Sequence, residues 1–542
     1  MTLRRPPATV VLGLILVIGL VWRLINIGFG LPAMYDPDEP LFVMKAFKLL
    51  NEHTLNPGWF GHPGTTTIYL LAGVDLLVAG TALASGRFAT LAQFAAGVYA
   101  HPGLIFIPSR LAMVMIAVGT IWLTYLIASR LFDTSAGLLA AAFLAFNALH
   151  IAWSQVIRTD IHCSLFMLAS LLFAIRGAHQ GARRDFLVAG LFAGFAMATK
   201  WPGGSILIAV AGAAFHRWQC ERRADAFLRP LIMAAAAALI GLFIASPFIL
   251  LDWRTVIADV GGEVATGHLG HSGHGLVLNL GWYLQTQVAG TMGWLGLALT
   301  LAGLLLLLRD AVARVTLLPA TLVFLALISA QPQIWSRWLT PVLPMLSIAA
   351  ALATVTAARW ITARSPARFR PALHAIIALV ALAPSVAGAA QGTRERANDT
   401  RDQASAWARA HIPPGRTIVV EHLALDLRPQ PWRILFPIGT AGCVDGRRAL
   451  SGGVKYEDVQ KARRRSPIVD LGNIPTDKLA SCKADYAILT YYDLYLAERK
   501  SFPNQIDSYN RLIGAGHTVA VFRTEPGVAG WPVTRIVALG TQ

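Results

Sequence analysis

The sequence predicts a polytopic α-helical membrane protein of about 11–13 transmembrane helices, followed by a small soluble α/β domain. Three observations indicate this fold class. Hydrophobic residues make up 55% of the 542 residues and charged residues only 14%, which is too little polar surface for a soluble chain of this length. About thirteen apolar runs lie between residues 9 and 391. After residue 391 the charged residues become dense, so we predict a transmembrane domain at 1–391 and a soluble domain at 392–542.

The first apolar run and the basic loops predict the orientation in the membrane. Arg4 and Arg5 precede a run from about Thr9 to Gly30, which is long enough for an uncleaved first helix. Because basic loops stay on the cytoplasmic side, the N-terminus is predicted inside and residues 31–61 outside. Farther along the chain, basic loops alternate with less basic loops in the order that this orientation requires. The same order puts the chain after Gln391 outside. We therefore expect a multi-pass protein of the cell inner (plasma) membrane with a periplasmic C-terminal domain.

Two parts of this topology stay open. The apolar runs near 65–84 and 88–107 are followed by one near 110–129, which predicts a helix boundary near residue 108. The segment 62–108 must contribute an even number of crossings, as a hairpin or as a partly interfacial excursion. The apolar runs near 186–199 and 203–216 are short for a full crossing and are separated by Lys200–Gly204. Such a pair favours helices that are tilted or broken within the membrane.

The C-terminal part has the sequence pattern of a small mixed α/β domain. Its β-rich runs are Thr417–Glu421, Asp485–Thr490 and Thr518–Phe522, with helical patterns and Gly/Pro turns between them. Cys443 and Cys482 are its only cysteines. They would form one disulfide if the domain faces an oxidising compartment, and the sequence leaves this pairing open because it does not give their separation.

The net charge of +17 raises the question of nucleic-acid binding. The Arg and Lys residues, however, occur in short clusters between apolar runs, as they do in the loops of membrane proteins. We therefore expect membrane lipids rather than nucleic acid as partners.

A crowded group of carboxylates follows the first apolar run. Asp36, Asp38 and Glu39 lie within four residues at the membrane boundary. Such crowding is costly unless the carboxylates bind a cation or transfer protons, although a solvated loop with a helix cap is the alternative. The pattern of Pro40–Asn51 predicts an amphipathic helix in the interface plane, which would hold the acidic pair at the depth of lipid headgroups.

A second acidic site, Arg158 and Asp160, begins a later helix on the same predicted face. A local ion pair or a helix cap is the alternative interpretation. Two acidic sites on one face of the membrane favour a shared cavity.

The long outside loop 252–281 carries Glu263, His268, His271 and His274 among many glycines. Histidines at this spacing could bind a metal. A glycine-rich loop of this kind more often covers a substrate, and we favour that interpretation.

Several short motifs, taken in order, resemble the membrane-embedded GT-C glycosyltransferases. The nearest branch is the dolichyl-phosphate-mannose–protein mannosyltransferase-like group, which also includes the bacterial aminoarabinose transferases of lipid A. Each motif alone is weak, and their shared order is the specific signal. The motifs are Asp38-Glu39, His62-Pro63, Pro108–Leu111, Arg158–Asp160, Thr199–Gly203, Ser246–Phe248 and Arg337–Pro344.

The resemblance implies a glycosyltransferase that moves a hexosyl or pentosyl group from a polyprenyl-phosphate carrier to an acceptor protein, lipid or glycan at the outer membrane face. Asp38 matches the acidic residue taken as the catalytic base, and Glu39 accompanies it. Asp160 matches the second acidic residue, which organises the site or a bound cation. A divalent metal (Mg, Mn or Zn) at these three carboxylates is compatible with the resemblance. One departure concerns His62, where aminoarabinose transferases carry lysine.

The departing lipid phosphate is an anion and needs positive groups near it. We expect Arg337 and Arg158 to serve first, because both fall at outside loop–helix junctions. Ordinary contact with lipid headgroups is the alternative role for each of these side chains. The full set of lipid-phosphate or substrate-binding candidates is Arg158, Arg337, His62, Lys200, Lys45, His268 and His271.

Two other classes of protein compete with this interpretation. A secondary transporter or lipid flippase would also have broken helices and basic cavities, but it would place its ionisable residues near the midplane. Asp75 is the main residue of that kind, and it could be a buried structural carboxylate or mark a polar path. A scaffold or receptor that works through the C-terminal domain would leave the acidic loops unexplained. We expect the C-terminal domain to contribute acceptor recognition or stability.

Overall fold

The structure is a computed structural model that describes residues 7–265, 269–421, 425–427, 430–448, 470–514 and 516–539. The chain divides into two compact units, which we call the membrane unit and the soluble unit. The membrane unit comprises Met1–Ile27, Asp38–Gly261 and Gly273–Gln391, and the soluble unit comprises Gly28–Pro37, Gly262–Ser272 and Gly392–Gln542. Two short segments from the first part of the chain therefore belong with the C-terminal domain.

The membrane unit is almost entirely helical, because in lipid every backbone N–H and C=O group must find a partner within the protein. Its apolar runs form helices joined by short loops. The helices are α1 (Ala8–Leu24), α2 (Asp38–Asn51), α3 (Thr65–Ala84), α4 (Leu91–Ala100), α5 (Gly103–Leu131), α6 (Thr134–Ala145), α7 (Ala148–Ser154), α8 (Thr159–Gln180), α9 (Arg183–Thr199), α10 (Leu207–Glu221), α11 (Asp225–Ala245), α12 (Phe248–Leu251), α13 (Trp253–Ala265), α14 (Leu276–Trp282), α15 (Ala289–Leu306), α16 (Leu317–Ser329), α17 (Leu343–Thr362) and α18 (Arg370–Arg396).

Among the described residues, seven helical stretches are long and apolar enough to cross a membrane. The number rises to eight if α6 and α7, which meet at a bend of 61°, form one broken span. Several predicted runs form shorter helices, such as α1 with 17 residues and α16 with 13. The predicted class, a multi-span helical membrane protein with a small C-terminal sheet domain, is confirmed.

The predicted helix boundary near residue 108 is wrong. The runs expected at 88–107 and 110–129 form a ten-residue α4 and one continuous 29-residue α5, with Pro108 inside α5. A proline removes one backbone hydrogen bond, and membrane helices tolerate this loss because neighbouring groups satisfy the carbonyl that it frees.

The segment from α3 to α5 leaves one end of the membrane unit and returns to it. Gly64, which precedes α3, donates its N–H to the Thr199 carbonyl at 3.1 Å. Arg110, near the start of α5, lies at the same end through a bidentate contact with Glu39. The far end of α5 lies about 40 Å away, where Arg359 contacts Asp133. Both ends of the segment therefore lie at one end of the membrane unit, which is compatible with the even number of crossings expected from the sequence; the number itself stays a prediction.

Helices α9 and α11 pack closely through small residues. A Cβ atom at Gly190 or Gly194 would lie 2.1 Å from the carbonyl oxygen of Ala234 or Ala238. Glycine at these two positions lets the backbones touch, which is how membrane helices associate where no hydrophobic effect drives them together. This packing carries the end of α9, and Lys200 after it, to a defined position.

The soluble unit is built around a six-stranded mixed sheet with strand order β3-β2-β1-β4-β6-β5. The strands β1, β2 and β4 are parallel, and the other pairings are antiparallel. The three strands predicted from the sequence are β1, β4 and part of β5. The described elements are α19 (Thr400–His411), β1 (Thr417–Val420), β2 (Arg433–Pro437), β3 (Cys443–Asp445), α20 (Gly446–Arg448), β4 (Tyr486–Leu489), α21 (Tyr492–Ala497), α22 (Pro503–Ile513), β5 (His517–Glu525) and β6 (Val528–Ala538).

A disulfide joins Cys443 in β3 to Cys482, so the pairing that the sequence left open is formed. Their Cα atoms are 4.9 Å apart. The bond ties an edge strand of the sheet to the segment that precedes β4.

A buried carboxylate, Glu421, organises the edge of the sheet where β1 and β4 end. It accepts backbone N–H groups from Leu471 at 3.1 Å, Thr490 at 2.5 Å and Tyr491 at 2.9 Å. The hydroxyl of Tyr509 donates to it as well. Because all of these groups are donors, both oxygens of the Glu421 carboxylate must act as acceptors.

We expect Glu421→Gln to lower the free energy of unfolding of the soluble unit by about 1–3 kcal/mol. The amide group would place an NH₂ against N–H donors, whichever way it turns. The measurement is chemical denaturation of the full chain, followed by hydrogen exchange of peptides from β1 and β4. The exposed Glu498 provides the control, because Glu498→Gln removes no buried acceptor and should leave this exchange unchanged.

Candidate functional site

The two predicted acidic sites of the membrane unit come together through one ion pair. Asp38 is the first residue of α2, and Arg158 immediately precedes α8. The guanidinium of Arg158 contacts the carboxylate of Asp38 across 120 positions of sequence. Because Asp160 follows Arg158 by two residues, both acidic sites lie at the same end of the membrane unit.

Asp160 forms a second, more deeply buried ion pair with Lys200. Lys200 follows the last residue of α9, at the break that the sequence predicted, and a 3₁₀ segment, Trp201–Ile206, continues the chain. Asp160 is 1% exposed and Lys200 is 8% exposed, so each charge depends on the other for compensation.

Arg337 also belongs to this cluster. Its guanidinium lies 4.1 Å from the centroid of the Trp335 ring, and the Lys200 ammonium lies 5.9 Å from the ring of the neighbouring Trp338. Arg337 interacts electrostatically with both Asp160 and His62. The 3₁₀ segment Ser336–Val342, which leads into α17, thus adds a third positive group beside Arg158 and Lys200.

His62 lies on the loop before α3, with its ring 4.7 Å from that of Trp59. Burial, together with repulsion from Lys200 and Arg337, lowers the pKa of His62 to about 3. The imidazole is therefore neutral at physiological pH and can accept or donate a hydrogen bond, but it adds no positive charge for a phosphate.

Glu39 occupies a different environment from its neighbour Asp38. Its two oxygens accept from Arg110 Nε at 2.8 Å and Nη2 at 2.6 Å, and the side chains of both residues are 0% exposed. The backbone N–H of Ile157 donates to Glu39 as well, at 3.0 Å, and Arg110 donates to the Ile27 carbonyl at 2.7 Å. This pair fixes α1, α2, α5 and the loop before α8 to one another.

The exposed fractions of the three carboxylates separate their roles. The side chain of Asp38 is 30% exposed, whereas that of Asp160 is 2% and that of Glu39 is 0% exposed. Of the three carboxylates, Asp38 is therefore the one that a molecule entering from solvent can reach most easily.

The cluster carries more positive than negative charge. Arg158, Lys200 and Arg337 provide three cations, and Asp38 and Asp160 provide two carboxylates, while the Glu39–Arg110 pair is neutral as a whole. The excess of one positive charge, in a largely buried setting, suits an anionic group such as a phosphate monoester or diester.

The sequence interpretation gave no role to a buried network around Arg23. Its guanidinium donates to the carbonyls of Ala145 at 3.0 Å and Leu144 at 3.3 Å, and lies 2.7 Å from His150 Nδ1. Gln155 donates to the Arg23 carbonyl at 2.9 Å. The network satisfies the carbonyls where α6 breaks into α7 and anchors the loop that leads into α8. An arginine within the first apolar run was the available signal.

The remaining predicted binding residues lie elsewhere or outside the described residues. Lys45 donates to the carbonyl of Gly58 at 3.3 Å and interacts electrostatically with Asp259. His271 belongs to the soluble unit, and His268 lies outside the described residues. The roles proposed for all three stay predictions.

Among the described residues, no group of three or more His, Cys, Asp or Glu side chains is arranged to hold a metal ion. The three carboxylates predicted as metal ligands do not form a ligand set in this arrangement, because each contacts a basic side chain. These ion pairs are Asp38–Arg158, Glu39–Arg110 and Asp160–Lys200. The divalent metal stays a prediction.

Residues 102–251 match the family model described as dolichyl-phosphate-mannose-protein mannosyltransferase. The predicted resemblance to this family is confirmed. Four of the motifs quoted above, from Pro108–Leu111 to Ser246–Phe248, fall within the matched residues. No curated protein matches the chain in a sequence comparison.

Solved structures extend the likeness over nearly the whole chain. ArnT from Cupriavidus metallidurans, in the apo state and bound to undecaprenyl phosphate, superposes with a TM-score of 0.53 at 15% identity over 98% of this chain and 99% of that one. The archaeal oligosaccharyltransferase AglB from Archaeoglobus fulgidus, in complex with an inhibitory peptide and a dolichol-phosphate, gives 0.51 at 13% identity, over 92% and 72% of the two chains. The chain therefore has the GT-C glycosyltransferase fold.

We expect Glu39→Gln to destabilise the membrane unit by about 3–5 kcal/mol, because it leaves the Arg110 charge buried without its counter-ion. Replacing both partners, as Gln and Met, should restore part of the loss. The measurement is unfolding of the purified protein in mixed micelles.

The control is the exposed pair Lys48–Glu52 at the end of the same helix, where Glu52→Gln should cost less than about 1 kcal/mol. Equal losses from the two single variants would contradict a structural role for the buried pair.

We expect the imidazole of His62 to show no titration between pH 5 and 8. Its pKa is about 3, so the ring has already lost its proton at the acid end of this range. The measurement is solid-state NMR of ring-labelled histidine, with His62→Asn used to assign the signal. A midpoint near 6.5 for that signal would show that the ring is not desolvated.

Proposed function

We propose that this protein is a glycosyltransferase that moves a sugar from a polyprenyl-phosphate carrier to an acceptor hydroxyl at the outer face of the membrane. The observation that supports this function best is the convergence of Asp38 and Asp160, with Arg158, Lys200 and Arg337 around them. Such a cluster offers a reachable base beside an excess of positive charge. Both features suit the transfer of a glycosyl group away from a phosphate.

Asp38 acts as the general base in this proposal. The acceptor oxygen forms a bond to the anomeric carbon of the sugar, and the bond between that carbon and the phosphate oxygen breaks. The proton of the acceptor hydroxyl passes to Asp38, which must lie within hydrogen-bond reach of it. Asp160 stays ionised against Lys200 and holds that cation in place, as a positioning residue.

Arg158 and Arg337 stabilise the charge that remains on the lipid phosphate, and Lys200 adds to the positive charge around it. A guanidinium suits this task because its planar donors match phosphate oxygens in pairs. The carrier assignment is supported by the likeness to ArnT, whose structure was solved bound to undecaprenyl phosphate, and to AglB, whose structure was solved in complex with a dolichol-phosphate.

The orientation follows from charge and from the disulfide. Basic loops put the N-terminus in the cytoplasm, so the cluster and the soluble unit belong on the outer side. The Cys443–Cys482 disulfide supports an oxidising compartment such as the periplasm. The acceptor, whether protein, lipid or glycan, would therefore be glycosylated outside the cytoplasm.

A secondary transporter or lipid flippase is the second candidate, and one observation favours it. Asp75, within the apolar α3, is 2% exposed, and its carboxylate oxygens have no hydrogen-bond partner among the described residues. A buried carboxylate of this kind is typical of a polar path through a membrane. Proteoliposomes loaded with labelled donor distinguish the two, since a transporter moves the lipid without changing it.

We expect Asp38→Asn to lower sugar transfer by about 10²–10⁴-fold, because the amide cannot take the acceptor's proton. The assay uses proteoliposomes with a panel of radiolabelled polyprenyl-phosphate sugars. Binding of undecaprenyl phosphate should stay within about threefold of the wild type, since Arg158, Lys200 and Arg337 remain.

Glu52→Gln, at the end of the same helix, is the matched control and should transfer sugar at the wild-type rate. Transfer at an undiminished rate by Asp38→Asn would remove Asp38 from the role of base.

A further inference from the structure

The segment just before α2 is held by the soluble unit. Gly28–Pro37 belongs to that unit, and Tyr35 is its best-anchored residue, with only 7% of its surface exposed. The Tyr35 hydroxyl donates to the carboxylate of Asp402. Arg401 places its guanidinium 3.9 Å from the centre of the Tyr35 ring and donates to the Tyr35 carbonyl at 3.1 Å. Arg401 and Asp402 therefore contact Tyr35 at its ring, its hydroxyl and its backbone carbonyl.

The groups that grip Tyr35 are themselves fixed. Arg401 contacts both oxygens of Asp399, from Nε at 2.8 Å and from Nη2 at 2.7 Å. Asp399 is 3% exposed and also caps α19 by accepting the backbone N–H of Arg401 at 2.9 Å. The first turn of α19 therefore presents Arg401 and Asp402 in a defined geometry.

The rest of the segment is shaped to fit against the same region. Arg396, from the last turn of α18, lies 4.0 Å from the centre of the Phe29 ring. Gly30 has φ +67°, and a Cβ atom there would lie 2.6 Å from the ring of Tyr35. Only glycine combines this backbone conformation with this close approach.

Burial and the neighbouring Asp402 carboxylate raise the pKa of Tyr35 above its ordinary value. The hydroxyl therefore keeps its proton and remains a donor to Asp402. Because its partner is a carboxylate, the hydroxyl makes a charge-assisted hydrogen bond, in which Tyr35 is buried and Asp402 is exposed.

Tyr35 precedes Asp38 by only three residues, and Asp38 opens α2. The first turn of a helix has N–H groups without partners inside the helix, and it frays more easily than the middle. Pro37 restricts the backbone between the two positions, so that an anchor at Tyr35 reduces the conformational freedom of the chain where α2 begins.

We propose that Asp402 and Arg401 clamp Tyr35 and thereby order the backbone from which α2 begins, so that Asp38 is held for proton transfer. Tyr35, Arg401 and Asp402 would then be positioning residues that act through the three peptide bonds of chain between Tyr35 and Asp38. The inference rests on the proposed function in taking Asp38 as the base, whereas the clamp itself can be tested without any substrate.

The test compares hydrogen exchange of the purified full-length protein in nanodiscs with that of Tyr35→Phe, Asp402→Ala and the double variant, since alanine, unlike asparagine, leaves no acceptor for the Tyr35 hydroxyl. We expect exchange in peptides covering residues 38–44 to accelerate about tenfold in either single variant, the factor that one hydrogen bond to a charged group carries. The double variant should add little more, because both changes remove the same interaction. Unchanged exchange at 38–44 in both single variants would overturn the proposal.

The matched control is Tyr495→Phe, which removes the same type of hydrogen bond from elsewhere in the soluble unit. The Tyr495 hydroxyl donates to Asp470 at 3.1 Å. This variant should accelerate exchange around residues 470–495 and leave 38–44 unchanged. Acceleration at 38–44 in this control would mean that general loosening of the domain, and not the clamp, reaches α2.

An activity measurement completes the test. We expect Tyr35→Phe and Asp402→Ala each to lower kcat for sugar transfer about tenfold and to leave the KM for the acceptor unchanged. The control Tyr495→Phe should transfer sugar at the wild-type rate. Accelerated exchange at 38–44 with an unchanged kcat would overturn the positioning role. If the wild-type protein transfers no sugar from any donor, the proposed function fails, and the exchange measurement alone decides whether the clamp exists.

Discussion

The ion pair between Asp38 and Arg158 is the interaction on which the candidate site depends. It joins the start of α2 to the start of α8, and it brings Asp38 to the same end of the membrane unit as Asp160 and Lys200. Charges in a setting with little water are stable only as compensated groups, so each carboxylate of the cluster is met by a cation from a distant part of the chain. The pairing therefore determines both the shape and the net charge of the site.

Other buried polar groups hold in place the two elements that carry this ion pair. The Glu39–Arg110 pair fixes the helix that carries Asp38, and the Arg23 network anchors the loop that carries Arg158. Neither group needs to touch a substrate. Their contribution is rigidity, because a reacting group must be held within a fraction of an ångström of its productive position.

Much of the architecture was predictable because it follows from composition and local pattern. Long apolar runs predict membrane helices, and the break at Lys200–Gly204 and the strands β1 and β4 occur where the sequence indicated. Acidic residues next to apolar helices also marked Asp38 and Asp160 as candidates, since charge at a membrane boundary is costly without a role. The misplaced helix boundary at Pro108 shows the limit of such patterns, as neighbouring groups in the fold compensate for a proline.

By itself, the sequence determined the fold class, the order of the helices and the residue types available for chemistry, because hydrophobicity and charge act locally along the chain. Only the tertiary structure decided which charges meet: that Arg158 contacts Asp38, that Glu39 is buried against Arg110, and that Tyr35 belongs with Asp402. These partners lie 71 to 367 positions apart. Pairing over such separations is set by how helices pack and where loops return, and no local pattern encodes it.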